Sequence, residues 1–117
     1  MRRLFLCLLA CAACKSTGLG EGVRKDVTVQ MATTQKDIAG CYERVLKRNR
    51  RLAGTIWIGV TAEASTGKFS QVQIKHDEVG DRELASCVVA VVQTLALAQP
   101  TKTTVTFDYP IQFAPEN

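Results

Sequence analysis

Apolar positions between residues 34 and 113 change period from one segment to the next. In TTQKDIAGCYERVLKRNRRLAG (33–54), Ile38, Cys41, Tyr42, Val45 and Leu46 recur at i, i+3, i+4, i+7 and i+8, one face of a helix. Thr34 with Asp37 three residues on resembles an N-terminal cap, and Gly54 beyond a basic end is a plausible stop. TIWIGVTAEA (55–64) places Ile56, Ile58 and Val60 on one side of a strand. After the turn STGK (65–68), FSQVQIKHD (69–77) returns with Val72 and Ile74 inward, making a hairpin. Phe69 is out of phase with Val72, which predicts a bulge near that turn. GDRELASCVVAVVQTLAL (80–97) is valine-rich but too long for a strand. Leu84, Cys87, Val88, Val91, Val92 and Leu95 give it helical spacing, with Asp81 as cap, and predict a nearly all-buried helix. TTVTFDYPIQF (103–113) alternates with Val105, Phe107, Tyr109, Ile111 and Phe113 on one face.

The predicted order is helix, strand, strand, helix, strand. It implies an α+β domain over residues 35–114, two helices on one face of a three-stranded antiparallel sheet. Pro110 cannot donate to a ladder, so the last strand is expected at an edge or bulged there. Before this domain, KSTGLGEGVRKD (15–26) reads as a flexible tether, and VTVQM (27–31) alternates as a short strand would.

The first residues change the picture more than the overall composition does. Met-Arg-Arg followed by apolar Leu4–Ala10 and small residues reads as a secretory leader over residues 1–13. It resembles a lipoprotein signal, cleaved just before a cysteine that carries lipid. Cys14 follows Ala12 and Ala13; Cys11, the alternative, has Leu8 at −3 but the bulky Leu9 between. Lipidation at Cys14 leaves an even pair, Cys41 and Cys87, whereas lipidation at Cys11 leaves Cys14 an odd thiol, so Cys14 is favoured. A plain leader cut at Ala13 is the other alternative. A metal site from Cys7, Cys11 and Cys14 lacks a fourth ligand. Formal charge is +4; without Arg2 and Arg3, 13 basic residues face 11 acidic ones. That is too little to argue for nucleic acid.

The order CYERVLKRNRRLAG, hairpin, second Cys-bearing helix and a strand with YPIQF resembles the AgmX/PglI C-terminal domain family, related in fold to the C-terminal domains of TonB and TolA. The resemblance runs from about Ile38 to Phe113. Its marks are Cys41-Tyr42-Glu43, Leu46 through Asn49, Gly54, Gly67, Cys87, and Tyr109-Pro110 followed by Phe113. Cys41 and Cys87 lie on the two predicted helices over one sheet face. In an exported chain they are expected to be bonded, and the resemblance implies the same pairing. The alternative is two buried thiols packed as small hydrophobes.

Other candidate sites compete with plain structural roles. Lys47, Arg48, Arg50 and Arg51 compensate a helix C-terminus, or else touch an anionic surface near the anchor. His76, Asp77, Glu78 and Asp81 match no ion-binding loop, so no metal or cofactor is expected. The single histidine has no marked serine or free cysteine partner, which argues against an enzyme. Trp57 should face the sheet side that the helices leave bare, as a lone exposed aromatic or as part of a protein-binding surface. Two copies could also pair through that bare face.

These readings converge on a non-enzymatic, lipid-anchored envelope module that binds or scaffolds an unidentified envelope protein, with no nucleic-acid role. Its expected location is the outer membrane, facing the periplasm. The resemblance allows a place in a gliding-motility or transport complex. The alternative is a TonB-type energy transducer engaging an outer-membrane partner. TonB-like domains take partner peptides as an added strand; Pro110 restricts one edge here, and strand 69–77 is the other candidate.

Overall fold

A computed structural model describes residues 4–8 and 20–115. The chain forms β1 (Leu4–Leu8), α1 (Glu21–Thr33), α2 (Gln35–Leu46), β2 (Gly54–Ala62), β3 (Phe69–Asp77), α3 (Arg82–Val92) and β4 (Val105–Pro115). The sheet has the order β1-β4-β2-β3 with every neighbour antiparallel. Its last three strands, with α2 and α3, reproduce the α-β-β-α-β order that the periodicity predicts. The fold class is α+β.

The core is built from the positions that the hydrophobic pattern marks. On α2, Ile38, Cys41, Tyr42, Val45 and Leu46 are all buried, and β2 contributes Ile56, Ile58, Val60 and Ala62. β4 adds Phe107, Tyr109, Ile111 and Phe113, each separated from the next by one residue, as a half-buried strand requires. Rings meet at two points: Tyr42 and Phe113 with centroids 5.0 Å apart, and Phe69 and Phe107 at 5.6 Å. Gly54 opens β2 at φ 138°, and a Cβ there would come within 3.1 Å of the Glu78 main chain. It therefore begins a strand; α2 has already ended at Leu46.

Over residues 21–31 the expected tether and short strand are corrected by α1, while residues 15–19 lie outside the described residues. The alternation Val27-Val29-Met31 imitates a strand, but Val23, Val27 and Met31 also recur every four residues. Val27 and Met31 are fully buried while Val29 is 50% exposed, which is the helical period. Asp26 fixes the helix to the rest of the fold. Its carboxylate accepts from the backbone amides of Ala98 (3.2 Å) and Gln99 (2.9 Å). Thr34 stands at the expected N-cap position of α2, but its side chain makes no capping bond: it is buried, and its hydroxyl donates back to the Met31 carbonyl at 2.8 Å. It is the single residue between α1 and α2, and its own carbonyl accepts from Ile38 N at 2.9 Å.

α3 is shorter and less buried than the valine run implies. It ends at Val92, so Leu95 packs from the following turn, and only Leu84, Val88 and Val92 are fully inside. Asp81 does cap it, accepting from Leu84 N at 2.9 Å. The residues read as a leader include β1, which pairs with the outer side of β4 from Leu8↔Ile111 to Leu4↔Pro115. Cys11 and Cys14 lie outside the described residues.

Candidate partner-binding site

Cys41 and Cys87 are disulfide-bonded, with Cα atoms 5.8 Å apart. The bridge joins α2 to α3 across 46 positions of sequence and lies inside the only domain core described. On the chain-entropy account such a closure contributes roughly 4 kcal/mol, a large share of a small domain's net stability. A second tie lies near the α3 N-terminus. The Arg48 guanidinium reaches Asp81 at 3.2 Å and Glu83 at 2.9 Å.

That pairing divides the basic run. Arg48 is occupied with structure, whereas Lys47, Arg50 and Arg51 are exposed and make no ion pair among the described residues. Their place in the fold also matters. They follow α2 at the Gly54 end of β2, while Asp26 of α1 is fixed to Ala98 and Gln99. Those residues neighbour Leu97, whose amide donates to Gly67 in the hairpin turn at the opposite end. The nine residues of β2 separate the two ends by about 27 Å at strand rise. Asp26 in the middle of α1 and the basic run therefore lie at opposite poles.

The acidic loop is built from local backbone contacts. Asp77 Oδ1 accepts from Val79 N and Gly80 N, both at 2.9 Å, and Glu78 Oε1 accepts from Thr55 N at 3.1 Å. Asp81 caps α3, and exposed His76 sits 3.8 Å from Glu78. Among the described residues no group of three His, Cys, Asp or Glu side chains is placed to hold a metal ion.

Trp57 is half-buried rather than freely exposed. It stands on the sheet side opposite Ile56 and Ile58, with Pro110 across from it on β4 and His76 on β3. Around it the same side carries Thr55, Gly59 and Thr61, with Gln112 and Asp108 across on β4. The expected shallow platform at Gly59 is covered. A Cβ at Gly59 would lie 3.0 Å from the Lys75 Cδ, so the aliphatic stem of Lys75 crosses it. Across β2, β3 and β4 this side is thus a largely polar surface with one aromatic.

The two borders of the β4-β2-β3 part of the sheet differ most in character. β3 carries two register shifts, one opposite Trp57/Ile58 and one opposite Gly59/Thr61. Gln71 sits at φ 50°, where the bulge predicted from Phe69 and Val72 falls. Bulges and a charged residue such as Lys75 are features that discourage a further strand from pairing. The outer side of β4 is regular instead, and beyond Pro110 it pairs residue for residue with β1. The restriction at Pro110 is legible in the sequence, whereas the pairing of the five residues after it is not, because residues 4–8 have the composition of a leader.

α2 neighbours β1 on this side, and α3 neighbours β3 on the other. Between α3 and β3 lies an open groove lined by Ile74, Ala85, Val89 and Ala90 with Arg82 and Gln93. No helix among the described residues is long and apolar enough to cross a membrane. No family model, curated protein or solved structure matches the chain.

Proposed function

We propose that this chain is a non-enzymatic, lipid-anchored binding module of the bacterial cell envelope, of the AgmX/PglI C-terminal type and related to the TonB and TolA C-terminal domains. It engages its partner along the outer edge of β4. The observation that carries this reading is the regular pairing of residues 111–115 with an added strand, at an edge that Pro110 limits but does not close. Main-chain hydrogen bonds supply affinity in such a mode, and side-chain pockets supply selectivity. The domain would sit at the outer membrane facing the periplasm, lipidated at Cys14, where the Cys41–Cys87 bridge suits an oxidising compartment.

With Cys14 as anchor, only residues 15–20 stand between the lipid and α1, a reach of at most about 20 Å fully extended. A span this short favours a scaffold held close to its membrane over an energy transducer that must cross the periplasm. The exposed Lys47, Arg50 and Arg51 lie at the far pole from Asp26 of α1. They would face away from the anchoring membrane, towards a partner.

The test is a photo-crosslinking residue placed singly at Gln112 on β4 and at Gln73 on β3, in cells carrying the full chain. An adduct from Gln112 and none from Gln73, with a lipid-modified Cys14 at the mature N-terminus by mass spectrometry, is the expected result. An unmodified N-terminus on a soluble cytoplasmic chain contradicts the reading.

A further inference from the structure

The β4 edge already holds an extended segment, and its register specifies what kind of ligand fits. Leu8, Leu6 and Leu4 stand opposite Ile111, Phe113 and Pro115, while Cys7 and Phe5 stand opposite Gln112 and Ala114. Cross-strand partners share a face of the sheet. Ile111 and Phe113 are buried on the side that the helices cover, and Gln112 is exposed on the other. Positions 4, 6 and 8 therefore fall on the helix-covered face, beside α2, and positions 5 and 7 on the bare one. All five residues of the segment, Leu-Phe-Leu-Cys-Leu, are apolar in sequence.

We propose that residues 111–115 of β4 select an antiparallel extended peptide with large apolar residues at alternate positions, and that residues 4–8 occupy this site until the leader is removed. The inference rests on the reading of β4 as the partner edge, and it names the ligand and the event that frees the site. One cleavage then does two things: it creates the lipid-bearing N-terminus, and it vacates the edge. The ligand's i, i+2 and i+4 residues extend the apolar layer past Ile111 and Phe113 beneath α2. The two residues between them face solvent and tolerate polar side chains. Pro110, which has no N–H, stands one residue before the Leu8↔Ile111 pair. In the uncleaved chain the segment and its edge belong to one covalent chain, so an external strand must compete with an intramolecular one.

The test uses a fluorescent pentapeptide, Leu-Thr-Leu-Thr-Leu, titrated by anisotropy against the full chain and against Leu6→Pro. Leu6→Pro removes an amide from the middle of β1 and leaves every core residue of α1 to β4 unsubstituted. A second form, the folded full chain cut after residue 13 at an introduced protease site, guards against an unforeseen effect of the proline. Trp57 fluorescence and an intact Cys41–Cys87 bridge report that each form remains folded. The expected result is binding about tenfold tighter to both opened forms than to the intact chain. Replacing the central leucine of the peptide by aspartate, or N-methylating its alternate amides, should abolish binding. Equal affinity for intact and opened chains overturns the masking by residues 4–8 while leaving β4 a binding edge. Binding that survives N-methylation overturns strand addition, and no binding to any form overturns the partner-edge reading itself.

Discussion

The two borders of the sheet solve the same physical problem in opposite ways. Any outer strand leaves unpaired amides and carbonyls that invite another strand. β3 answers within its own backbone, by two register shifts, the φ 50° residue Gln71 and the Lys75 stem folded over Gly59. β4 stays regular and is covered by another segment, residues 4–8. A border that is irregular is closed permanently, whereas one that is merely covered can be opened. Each border has its own helix, α3 beside β3 and α2 beside β1, and the disulfide ties the two halves together.

Substitutions can break this division, the largest effect coming from the tie itself. Replacing Cys41 and Cys87 together by serine should cost about 4 kcal/mol in chemical denaturation, loosening both halves at once. Unequal loosening, seen as loss of protection on one border alone, would show that the halves are stabilised separately.

Tyr42→Phe acts on the α2–β4 half. It removes the hydrogen bond that the Tyr42 hydroxyl donates to the Leu52 carbonyl and leaves the ring beside Phe113. A loss of about 1 kcal/mol is expected by urea denaturation. It should also change the response to alkali. Burial raises the Tyr42 pKa above its ordinary 10.0, so the native chain keeps a proton that the unfolded chain releases. The stability this contributes is fully present below pH 10 and is lost as pH rises through the higher folded value. Tyr42→Phe should lack that part of the alkaline decline.

Asp81→Ala acts on the α3–β3 half instead. It unpairs Leu84 N and deletes one partner of Arg48, for an expected loss of about 1 kcal/mol, with amide exchange rising first in the opening turn of α3. Arg48→Ala should be the mildest, at about 0.5 kcal/mol or less, because the guanidinium is exposed and solvent screens the pair. High salt should shrink that difference further.

Much of this division was legible in the sequence, for reasons that individual residues make plain. The α2 face, the 69–77 hairpin arm, the Asp81 cap and the alternating β4 all rest on periodicities within one segment, and each is seen. The bulge was legible because Phe69 and Val72 are both apolar yet out of phase. α1 was not, since Val27, Val29 and Met31 fit period two just as Val23, Val27 and Met31 fit period four. What decides between them is distant: Asp26 finds its amides 72 and 73 residues away. Arg48 shows the same limit, as its helix-end position predicts dipole compensation, whereas its partners Asp81 and Glu83 come from α3. The covered border was hidden for another reason. An apolar run after Met-Arg-Arg has the composition of a leader, and that composition says nothing about an edge it can pair with.

The most direct measurement is amide hydrogen exchange at the two borders of the chain before and after removal of residues 1–13. The account predicts that the amides of residues 111–114 that bond to residues 4–8 lose protection on cleavage and regain it with the Leu-Thr-Leu-Thr-Leu peptide. Residues 70–76 of β3 should not change in either step. Protection gained along β3 instead, or β4 amides indifferent to both cleavage and peptide, would contradict it.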